Sequence, residues 1–103
     1  MRTHVTLDPS TTIWTAIVAS LDDAVYPRAA AVRERDAVSA RGIAVDVLHS
    51  TRFPSLRPGY WVVYSKRFHA PSEAAAHAAR LRSIGFGDAY ERCVGPSQAC
   101  AGA

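Results

Sequence analysis

The chain has 103 residues, 49% of them hydrophobic and 20% charged, which suits one small globular domain and leaves no room for separate cofactor and substrate domains or a long repeat array. No apolar stretch approaches the roughly 18 residues needed to cross a bilayer, and residues 1–20 lack the basic start and apolar core of a signal peptide, so a soluble chain without membrane insertion is expected. The formal charge of +3 comes from eleven Arg and the single Lys66, scattered from Arg2 to Arg92, a dispersal that gives only a weak footprint for nucleic acid.

Residues 1–11 mix polar residues with Asp8-Pro9 and read as a flexible leader. Ile13 to Ala19 is an apolar run suited to a strand. After Asp22-Asp23, an Ala-rich stretch from Pro27 to Arg41 predicts a helix, with Pro27 at its first position and Gly42 as its stop. Ile43, Val45 and Val47 alternate with Ala44 and Asp46, the period-two pattern of a strand. FPSLRPG, from Phe53 to Gly59, carries two Pro and a Gly and reads as a loop. Tyr60 to Ser65 is β-branched and aromatic, hence a third strand. Ser72 is placed as the N-cap of a helix running to Ile84, whose apolar face is Ala74, Ala78, Leu81 and Ile84, and Gly85 ends it. Asp88 to Val94 is the last strand, and residues 96–103 form a small, polar tail.

The two halves match. Trp14 aligns with Trp61, and Leu21 with Phe68, each seven residues after its Trp. Val38 lies four residues before Gly42 and Leu81 four before Gly85, and each Gly is followed by an apolar residue, Ile43 or Phe86. Residues 12–95 are therefore expected to be one domain of two βαβ halves. The class is α+β, a ferredoxin-like split βαββαβ: a four-stranded antiparallel sheet of order 4-1-3-2 with both helices on one face.

At this level the chain resembles the SPOR domains, the sporulation-related repeats that bind peptidoglycan. The similarity spans Ile13 to Val94: an aromatic-led strand in each half (IWTAIVASL and YWVVYSKRF), the helix opening APSEAAAHAARL, and the ending RSIGFGDAYERCV. The resemblance implies a non-catalytic binding module of the bacterial cell envelope, outside the cytoplasm and connected with cell division. Its open sheet face would recognise glycan strands stripped of their stem peptides. Where members of that family tend to carry Gln on the first strand and Gly after the third, this chain has Ala16 or Ile17 and Lys66.

Alternation puts Trp14, Ala16, Val18, Trp61, Val63 and Ser65 on one sheet face, with Ile13, Ile17, Tyr60, Val62 and Tyr64 on the other. Both sets are apolar enough to be core. The family pattern puts Val62 and Tyr64 under the helices and leaves Trp14 and Trp61 exposed as a platform for sugar rings, with Ser65, Arg57 and Arg67 at its rim. The structural counterpart is two Trp packed inward and solvated Arg side chains. The four His lie at no ligand spacing, no phosphate loop is present, and Asp22-Asp23 suits a turn before a helix, so neither metal, cofactor nor catalysis is expected. Cys93 and Cys100 admit two readings, a disulfide across a Gly-Pro turn and two free thiols. The alternative function is protein interaction or homodimerisation through the sheet. Nucleic acid comes third, because the Lys/Arg-Gly-Phe pattern of RNA-recognition motifs is absent.

Overall fold

The computed structural model describes residues 11–96 and Cys100; residues 1–10 of the leader expected at 1–11, and residues 97–99 and 101–103 of the tail expected at 96–103, lie outside the described residues. The elements run β1 (Ile13–Asp22), α1 (Arg28–Ser39), β2 (Asp46–His49), a single 3-10 turn (Ser50–Arg52), β3 (Tyr60–Phe68), α2 (Pro71–Ser83) and β4 (Tyr90–Val94). All strand pairs are antiparallel and the order is β2-β3-β1-β4, the split βαββαβ arrangement that the matched halves predict.

Pro27 is the N-cap of α1, one place earlier than expected, with ψ of 164° and so still extended. Pro71 takes the first position of α2 and moves the cap to Ala70, leaving the expected cap, Ser72, inside the first turn. At the far end of α2 the backbone turns left-handed at Gly85 (φ 115°), and the Phe86 N–H returns to the Leu81 carbonyl at 3.0 Å, as the Gly there predicts. The strand expected over Ile43–Val47 begins instead at Asp46. Ile43 packs against the α2 side of the sheet, and the Ala44 carbonyl accepts the Ser65 hydroxyl instead of a ladder N–H.

The sheet has a core on each face. Under the helices Ala16 packs with Ala78, Leu81 and Ala89, joined by Val18, Ile43 and Phe86. Small residues at these contacts, and Ala31 and Ala74 facing inward on the helices, let the two layers approach closely. The opposite face carries Ile13, Ile17, Leu48, Val62, Tyr64 and Val94, and it is roofed by Phe53, 2% exposed, with Leu56 beside it. Burying a side chain of that size contributes roughly 1.5–3 kcal/mol. The segment 50–59 therefore lies across the sheet as a packed lid instead of hanging as an exposed loop.

Ser55 pins that lid. Its hydroxyl donates to the Cys93 carbonyl (3.0 Å) and accepts from the Gly95 N–H (3.1 Å), its own N–H donates to the Gly95 carbonyl (3.1 Å), and its carbonyl accepts from the Arg92 guanidinium (2.7 Å). Asp22 pairs with Tyr60 at one end of the sheet and Ile13 with Val94 at the other. The segment leaves β2 at the first end and reaches β4 at the second, so it crosses the sheet diagonally.

Candidate functional site

Trp14 and Trp61 do share a face, but it is the helix-covered face, and they do not form the platform expected on the open sheet. Trp61 lies two places before Val63 and four before Ser65, whose hydroxyl meets His77 of α2. Trp14 lies two places before Ala16, which is packed under α2. The rings are also far apart. Corresponding positions in two antiparallel neighbours fall at opposite ends: Trp14 pairs with Phe68, whereas Trp61 pairs with Leu21. Seven strand residues separate the two levels, on the order of 23 Å. Trp61 instead stacks at 4.4 Å on His49, whose Nε2 lies 2.7 Å from the Asp23 carboxylate.

Ser65 and Arg67 are likewise absorbed by the fold. Ser65 is fully buried, and its hydroxyl donates to the Ala44 carbonyl (2.7 Å). A hydroxyl has one proton, so the contact to His77 Nε2 at 2.8 Å is His77 donating to Ser65. That is the reverse of a base drawing a proton from a nucleophile. Burial, then the charges of Lys66 and Arg80, hold the His77 pKa below its ordinary value and favour the neutral ring. Arg67 hydrogen-bonds the Tyr64 hydroxyl, whose pKa is raised by burial and eased downward by that bond. Of the paired aspartates, Asp22 accepts the Ala24 N–H at 2.9 Å in a turn, and Asp23 holds His49.

Arg57, alone among the expected ligand residues, opens onto a concave feature of the face opposite the helices. Between the lid and the sheet lies a cleft of about 330 Å³. Its floor is Ile17 of β1 and Val62 of β3, and Leu56 of the lid closes one wall. Two tyrosines stand in it, Tyr60 at the start of β3 and Tyr90, 47% exposed, at the start of β4. Arg57 and Arg92 supply the charge, and the Ser20 and Ser50 hydroxyls add polar groups. Register explains the convergence, since Ile17 pairs with Tyr90 and Ser20 with Val62. Ser50 accepts the Tyr60 N–H at 2.9 Å and fixes where the lid departs.

Sequence reasoning passed over Tyr60, Tyr90 and Arg92. The available signal was the parity of the last strand: Tyr90 and Arg92 alternate with Glu91, on the face of Ile17. A second hollow, of about 660 Å³, lies between Trp14, the start of α2 and Cys93–Cys100. These two cysteines are joined as a disulfide, Cα atoms 5.7 Å apart. Closing so short a ring contributes about 2 kcal/mol in the chain-entropy account. Among the described residues no three His, Cys, Asp or Glu side chains gather as a metal site.

Comparison with protein-family models, with curated proteins and with solved structures returned no match.

Proposed function

We propose that this protein is a non-catalytic binding module of the bacterial cell envelope that holds peptidoglycan glycan strands in the cleft between the lid and the sheet. The supporting observation is the cleft itself: an apolar floor with Tyr60 and Tyr90 beside it, polar groups at its edge, and room for about one or two sugar rings. Tyrosine suits this task because its ring covers a pyranose face while its hydroxyl stays wet. The similarity of Ile13–Val94 to SPOR domains supplies the ligand class. The disulfide supports an extracytoplasmic setting, since such bonds persist in oxidising compartments.

The test is Tyr90→Ala, measured by calorimetric titration with purified glycan strands. Because Tyr90 is 47% exposed, its loss should leave the melting temperature within a few degrees while weakening binding about ten-fold. Unchanged affinity would remove the cleft from the account. A protein-docking reading is favoured by one feature, the turn between β1 and α1, where Val25 is 67% and Tyr26 47% exposed. It predicts that Tyr26→Ser abolishes capture of a protein partner and leaves glycan binding untouched.

A further inference from the structure

We infer that the saccharide held in the cleft is acidic, and that Arg57 and Arg92 select it by its free carboxylate; this rests on the glycan reading above. Among the described residues, the lining of the cleft includes two guanidinium groups and no carboxylate. The nearest acids have contacts of their own, Asp23 with the His49 ring at 2.7 Å among them. Asp22, paired with Tyr60 at the end of the face, accepts the Ala24 N–H, and Glu91 pairs with Ala16 and belongs to the helix side of β4. The positive charge in the cleft is therefore not neutralised from within it.

The two cations are also held in a way that leaves donors for a ligand. Arg92 gives one N–H to the Ser55 carbonyl at 2.7 Å, which fixes its head without using up its fork of five donors. Arg57 makes no hydrogen bond or ion pair among the described residues. It is presented by a stiff segment, between Pro58 and the pinned Ser55–Leu56, where the Leu56 N–H donates to the Phe53 carbonyl at 2.9 Å. Over an apolar floor of Ile17 and Val62 the local dielectric is lower than in water, so a carboxylate between the two guanidiniums gains more than it would on an open surface. A neutral sugar would gain stacking on the tyrosines and nothing from either charge.

The experiment compares purified peptidoglycan glycan strands with the same strands after their carboxylates have been converted to neutral amides, so backbone and length are constant. Native protein should bind the acid form about ten-fold or more tightly than the amidated form, and raised salt should erode that difference. Arg57→Gln, at an exposed position, should reduce the preference while leaving the Arg92 anchor intact. Arg57→Gln combined with Arg92→Gln should bind both forms equally. Equal binding of the two forms by native protein would overturn the acidic ligand while leaving the glycan reading in place. A preference that survives in the double variant would overturn the assignment of the selection to Arg57 and Arg92. Failure of both forms to bind would overturn the two together.

Discussion

Lys66 has φ of 64°, the left-handed region that a side chain with a Cβ enters at a cost of roughly 1–2 kcal/mol. It sits where β3 carries an irregularity opposite β1, and the Thr15 hydroxyl reaches its carbonyl at 2.6 Å and that of Ser65 at 3.1 Å. Gly would remove that strain at a smaller entropic cost of roughly 0.5–1 kcal/mol. Lys66→Gly should therefore raise the denaturant midpoint slightly, and Lys66→Val should lower stability by about 1–2 kcal/mol. His77 makes a second prediction. Its folded pKa lies below the ordinary 6.5, so the native state binds its proton less readily than the unfolded state. Its contribution is complete above pH 6.5 and is lost as pH falls below that value toward the folded pKa. Urea midpoints measured on either side of pH 6.5 should fall on the acid side, and His77→Gln should flatten part of that fall. At this scale alternation shows which side chains share a face only between irregularities: Ile17 and Ser20, three apart on β1, both line the cleft because the register shifts between Ile17 and Ala19. Alternation does not show which face the helices cover, since Ile13 and Ile17 on one side and Ala16 and Val18 on the other are both apolar.

Among the elements, the two helices and four strands are legible from Pro, Gly and alternation, within a few residues at their ends. The lid is not. FPSLRPG reads as a loop because Pro and Gly mark irregular backbone, yet irregular backbone can still be packed, and Phe53 and Ser55 are what pack it. Ser55 has no sequence signature, since its partners, the backbone groups of Cys93 and Gly95, lie some forty residues away. Phe53→Ala should cost about 3–5 kcal/mol in chemical denaturation, as expected for a large buried ring. A cost below about 0.5 kcal/mol would show that the lid does not seal the sheet.

For the whole molecule, the internal match of the two halves is the strongest signal the sequence carries, and it gives the topology correctly. The same match misleads about the site. It encourages the placing of Trp14 beside Trp61, whereas the antiparallel sheet it predicts sends corresponding positions to opposite ends. The cleft arises where β1, β3, β4 and the lid meet, from residues distant in sequence. On the reading proposed above, this cleft, not the helix side of the sheet, receives the ligand. Backbone amide chemical-shift mapping during titration with purified peptidoglycan glycan strands tests it most directly. Saturable shifts should centre on Ile17, Leu56, Arg57, Tyr60, Val62 and Tyr90, with the indole N–H signals of Trp14 and Trp61 little changed. Shifts centred on the two indole N–H signals would place the ligand elsewhere, and no shifts at strand concentrations well into the millimolar range would contradict the glycan reading.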